Sequence, residues 1–145
     1  MEKEIQILME RIKKEHPHTE CKTIEEKVII DFSKACSAIN LNNLITTKEW
    51  NDPKFEKVAN KIIFIIGDNK KFKTTELKNI KIECGNNCEL SLNYCCINDT
   101  KIFVKARDDN KIKTGNYVIM EINNKNKIEC GSNCKITMAN FNAIS

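Results

Sequence analysis

Four of the eight cysteines in this 145-residue chain form two copies of one pattern, Cys84-Gly-Asn-Asn-Cys88 and Cys130-Gly-Ser-Asn-Cys134. Each pair flanks the length of a tight turn and shares parity with the apolar positions beside it, so both thiols of a pair are expected to point the same way. Three chemistries follow. If the two turns lie side by side, Cys84, Cys88, Cys130 and Cys134 surround one Zn²⁺ at about 2.3 Å, a closed structural site. In an oxidising compartment each pair bridges across its own turn, provided that its Cβ atoms are close. Otherwise the four are small buried residues, as free cysteines usually are. Zinc knuckles more often place two residues between ligands, and nothing marks the chain for secretion. Buried thiols are therefore the leading expectation and no cofactor is required, with zinc as the alternative.

A second cluster, His16-Pro-His18-Thr-Glu20-Cys21, crowds imidazole, carboxylate and thiol together. It has the donors for a transition metal or for a thiolate with a histidine base. It sits between predicted helices with no Asn or Asp placed to orient it, so a solvated loop is the simpler reading. Cys36 falls on an apolar helical face, and Cys95-Cys96 point to opposite faces of a strand. No phosphate-binding glycine loop, dinucleotide fingerprint, Gly-x-Ser-x-Gly elbow or His-Glu-x-x-His occurs. Asp108-Asp109-Asn110 begins like a calcium loop, but the following Gly and the terminal Glu are misplaced, and it reads as a turn. No assembled catalytic set emerges, which makes an enzyme the less favoured class.

The cations are 24 against 20 anions, and all but Arg11 and Arg107 are lysine. With Ile and Asn abundant as well, an AT-rich coding genome explains that bias, and the arginine forks that read bases are nearly absent. Residues 1–67 carry 11 cations and 11 anions, whereas 68–145 carry 13 and 9. An anionic partner is therefore expected at Lys70, Lys71, Lys73, Lys78 and Lys81.

The elements that position these residues change character midway. Ile5, Leu8, Met9 and Ile12 recur at helical spacing over 2–15, and Pro17 ends that helix. Thr23-Ile-Glu-Glu26 matches a capping box, and Val28, Phe32, Ala35, Cys36 and Ile39 then predict a helix over about 24–40. Asp52-Pro53 opens a third, whose end is ambiguous because Ile62-Ile-Phe-Ile-Ile66 fits a buried strand as well. From about residue 70 the period becomes 2, through Ile80, Ile82, Cys84, Leu90, Leu92, Ile102, Val104, Val118, Met120 and Ile122. Lys81–Leu92 and Lys127–Met138 match at seven of 12 positions with an offset of 46. Such an internal repeat implies a duplicated strand-turn-strand unit whose Gly is expected to be left-handed.

These features predict an α+β chain, with a helical part over 1–66 and a β part over 67–145 that holds the repeat at 81–92 and 127–138. An antiparallel sheet or barrel is preferred over a small β-solenoid, because Gly67, Gly85, Gly115 and Gly131 are spaced by 18, 30 and 16. No apolar run approaches the roughly 20 residues of a membrane span, so a soluble cytoplasmic protein is expected. The function implied is a non-enzymatic interaction or homo-oligomerisation module built on the repeated β units. The alternative is a zinc-stabilised binder of nucleic acid or another anion.

Overall fold

The computed structural model describes residues 2–34, 37–74, 80–92, 102–138 and 143–144. Helix α1, Lys3–Glu15, forms where the periodicity requires it, with Ile5, Leu8, Met9 and Ile12 buried. Two short helices, α2 (Thr47–Trp50) and α3 (Pro53–Ala59), follow later, and the Asp52 side chain caps α3 by accepting from Lys54 N–H at 2.9 Å. Arg11 of α1 donates to Glu49 of α2 at 2.6 Å and to the Leu44 carbonyl at 3.2 Å, which ties these helices together. Among the described residues no helix is long and apolar enough to cross a membrane.

The helix expected over 24–40 does not form. Strands β1 (Glu20–Ile24) and β2 (Lys27–Asp31) pair antiparallel around Glu25, whose φ is 57°, and β3 (Ala38–Asn40) comes next. Val28, Ile30 and Phe32 are buried in alternation, and β-branched side chains suit that extended backbone better than a helix. Ala35 and Cys36, which the helical reading used, lie outside the described residues. Ile62–Gly67 is strand β4, which resolves the ambiguity at the end of α3.

The remaining strands are β5 (Lys71–Thr74), β6 (Lys81–Cys84), β7 (Glu89–Leu92), β8 (Ile102–Ala106), β9 (Lys111–Thr114), β10 (Val118–Ile122), β11 (Lys127–Glu129), β12 (Lys135–Met138) and β13 (Ala143–Ile144). The even-numbered strands together with β1 build a seven-stranded sheet, β1-β2-β4-β6-β8-β10-β12, and the odd-numbered strands from β3 onward a six-stranded sheet, β13-β11-β9-β7-β5-β3. Every pairing from β2 onward is parallel, so the chain alternates between the sheets and climbs one layer per coil. The expected α+β arrangement of three helices and an antiparallel sheet or barrel is thus incorrect, and the β-solenoid alternative fits. Alternating burial follows from one wet face per sheet and is the same for parallel and antiparallel pairing, which is why the pattern could not separate them.

Two facing rows make the interior. One runs Ile30, Phe64, Ile82, Val104, Met120 and Ile136 in register. The other runs Ile39, Phe72, Leu90, Ile112, Ile128 and Ile144. Phe32, Phe64 and Phe72 lie next to one another across the first layers, with centroids 6.1 and 6.3 Å apart. The apolar face of α1 joins the same buried cluster at the N-terminal end.

The glycine spacing that spoke against a solenoid has a simple origin. Gly67 and Gly85 occupy one corner of successive coils, while Gly115 and Gly131 occupy the opposite corner. The intervals of 18 and 16 are single coils, and the interval of 30 is a coil and a half. Insertions gather at the second corner, where the whole of 41–61 with α2 and α3 is accommodated.

Candidate functional site

The corners are built by a four-residue rule. At the first corner Asn69, Asn87, Asp109 and Lys125 all take φ between 58° and 60°, and the residue before each of the first three supplies an acceptor to the next layer. Asn86 N–H donates to Asp68 Oδ1 at 2.7 Å, Asp108 N–H to Asn86 Oδ1 at 3.0 Å, and Asn124 N–H to Asp108 Oδ1 at 2.8 Å. The residues after the last three of these left-handed positions, Cys88, Asn110 and Asn126, turn inward. There Asn110 Nδ2 donates to the Gly85 carbonyl at 2.9 Å and Asn126 Nδ2 to the Arg107 carbonyl at 2.8 Å. The Cys88 thiol stands at the same place one layer earlier and donates to the Gly67 carbonyl at 3.0 Å.

The second copy of the repeat reproduces this geometry on the opposite corner. Asn133 has φ 59°, Ser132 N–H donates to Asn116 Oδ1 at 2.6 Å, and the Cys134 thiol donates to the Gly115 carbonyl at 3.5 Å. The offset of 46 is two and a half coils, so the repeat maps one corner onto the other. The left-handed residue is the asparagine, not the glycine. Gly85 and Gly131 are required instead by close approach, since a Cβ at either would collide with the side-chain oxygen of Asp68 or Asn116.

Within each pair the thiols touch. Cys84 is raised strongly, first by its hydrogen bond to Cys88 and then by burial, and the charges of Cys88 and Asp68 add to this. Cys88 is lowered to about 7, because its thiolate accepts from the Cys84 thiol and from the backbone N–H groups of Lys70 and Asn69, against the cost of burial. Cys130 is raised by burial and then by Cys134. The two pairs are not brought together. Cys84 aligns with Ala106, Ile122 and Met138 across four strands, and Cys134 lies four residues before Met138. Strand geometry separates them by about 14 Å across the sheet and about 13 Å along it. Among the described residues no group of three or more His, Cys, Asp or Glu is placed to hold a metal.

His16 is buried, with its ring edge-on to Phe32 at 6.0 Å, and His18 is exposed. Cys21 on β1 is half-buried, and burial raises its thiol despite Lys13 nearby, which makes it a poor nucleophile at neutral pH. Cys95 and Cys96 lie outside the described residues.

The lysines expected to bind an anion are divided by the fold. Lys71 and Lys73 project from the outer face of the six-stranded sheet, Lys70 stands at the first corner, and Lys78 lies outside the described residues. Lys81 projects from the other sheet, with its ammonium 5.9 Å from the Phe103 ring centroid. In their place the register brings Lys111, Lys113 and Lys127 into the same rows as Lys71 and Lys73, with Glu89 and Ser91 of β7 between. These five face a groove of about 880 Å³ that spans five strands and ends at Glu15 and His16. The only sequence signal for the missed three is the alternation Lys111-Ile-Lys113, whose relation to Lys71-Phe-Lys73 needs two coils of register to see.

Comparison with known protein families, with curated proteins and with solved structures finds no match to this chain.

Proposed function

We propose that this chain is a non-enzymatic binding module that docks an anionic partner in the groove over the six-stranded sheet. The supporting observation is the convergence there of five lysines from β5, β9 and β11 against three glutamates. A parallel ladder sets their spacing, so a partner meets charges already arranged rather than charges on loops. Lysine is a hydrated point charge, which suits electrostatic docking more than the bidentate reading of bases. Thiols used as hydrogen-bond donors suit a reducing, cytoplasmic compartment.

The test uses a labelled poly-glutamate peptide as probe. Binding should weaken about tenfold between about 50 and about 300 mM salt, because exposed charges are screened. The double variant Lys71→Ala, Lys111→Ala should weaken it about fivefold, while Lys105→Ala on the other sheet leaves it unchanged. Equal loss from Lys105→Ala, or no binding at low salt, would overturn the reading.

A second reading is self-association. Met138 is 45% and Ile144 43% exposed, and Ile136 is half-buried, although all three continue the interior rows. Among the described residues nothing covers this layer, which would offer both apolar surface and strand edge to a second copy. Light scattering with size exclusion should then show a dimer that Met138→Lys abolishes, whereas a strict monomer would remove the idea.

A further inference from the structure

Two register rows cross the lysine face, and they differ in chemistry. In the first, Lys71, Glu89, Lys111 and Lys127 follow one another, so Glu89 offsets the lysines on either side. In the second the order is Asn40, Lys73, Ser91, Lys113 and Glu129, and a hydroxyl stands between two lysines. Ser91 is half-buried, and among the described residues its hydroxyl has no hydrogen-bond partner. Glu129 approaches Lys113 at 3.7 Å, but both side chains are more than half exposed and such a contact holds weakly. At the other end Asn40 accepts from Asn42 N–H with Oδ1 at 3.0 Å, which leaves its Nδ2 as a donor.

Adjacent strands are about 4.8 Å apart, so the Lys73 and Lys113 Cβ atoms lie about 10 Å apart with Ser91 midway. Each four-carbon stem is long enough to bring its ammonium over the hydroxyl. Phe72 is 1% exposed and turned inward, so it offers no platform on which a base could stack. Resting on the reading of the groove as an anion-docking face, we infer that Ser91, Lys73 and Lys113 form a seat for a tetrahedral dianion, the phosphate group of a monoester ligand. Two ammonium groups balance its two charges, and the Ser91 hydroxyl donates to a third oxygen.

The test follows backbone amide resonances of the full chain while inorganic phosphate, and separately inorganic sulfate, replaces chloride at constant ionic strength. Saturable shifts should centre on Ser91, Lys73 and Lys113. Ser91→Ala and Lys73→Ala should each weaken binding about tenfold, while Lys127→Ala changes it less than about twofold. Lowering the pH from about 7.5 to about 5.5 converts phosphate to its monoanion and should weaken phosphate but not sulfate. Shifts that fail to saturate, that extend equally to Lys105 and Lys135, or that survive Ser91→Ala unchanged would overturn the seat. If poly-glutamate still binds in that case, the seat alone has failed; if neither probe binds, the docking face falls with it.

Discussion

Asn110 shows how much one residue does at a corner. It is 1% exposed, accepts from Cys88 N–H at 2.8 Å and donates to the Gly85 carbonyl at 2.9 Å. Its own N–H donates to Asn126 Oδ1 at 3.0 Å. Asn110→Ala leaves the Cys88 N–H of the preceding layer unpaired and the Gly85 carbonyl with only the Arg107 N–H, and should cost about 2 kcal/mol, read from the urea midpoint. A change within about 0.5 kcal/mol would mean that water replaces the ladder.

The thiols give a pH signature at the same scale. Cys84, Cys21 and Cys130 are held protonated in the folded chain, above their ordinary value of 9.0. Their contribution is complete below that value and is lost as pH rises through it toward their folded values. Cys88 has the opposite sign: its contribution is present above 9.0 and is lost as pH falls through about 7. Three raised groups outweigh one lowered group, so unfolding midpoints should fall between pH about 8.5 and about 10. A flat or rising midpoint across that window would contradict the burial of these sulfurs.

Among the elements, α1 is the one whose sequence and structure agree most closely. Its 3.6-residue period places Ile5, Leu8, Met9 and Ile12 on one face, and that face enters the core. Leu8→Ala should cost about 2–5 kcal/mol through lost burial and the cavity left behind. Denaturation that moves by less than about 1 kcal/mol would show that the end layer does not need its cover. The segment 24–40 illustrates the opposite case. Val28 and Phe32 satisfy both i, i+4 and i, i+2 spacing, and the local pattern therefore fits helix and strand alike. Pairing of β2 with β4, 34 residues away at Val28 and Ile62, decides for the strand.

At the scale of the molecule, a solenoid layer is stabilised by its neighbours above and below, and the N-terminal end has α1 as its cover. β6, β8 and β10 lie between layers, whereas β12 and β13 have a paired strand on one side only among the described residues. Hydrogen exchange of the full chain should accordingly be slowest in β6–β10 and fastest in β12 and β13. Uniform protection from β2 to β13 would indicate that the last layer is covered, as self-association requires.

Sequence alone determined the local units: the first helix, the Asp52-Pro53 cap, the period-2 stretches and the duplicated Cys-Gly-x-Asn-Cys turn. These depend on dihedral preferences and on the face each residue presents to water, which act over a few residues. Only the tertiary structure decided that the strands from β2 onward are parallel, that the two turns occupy opposite corners, and that Lys111, Lys113 and Lys127 share rows with Lys71 and Lys73. Those outcomes depend on register between segments up to 56 residues apart, from Lys71 to Lys127. Side-chain alternation is identical for every register that keeps parity, and the choice among them is made by how the buried rows pack.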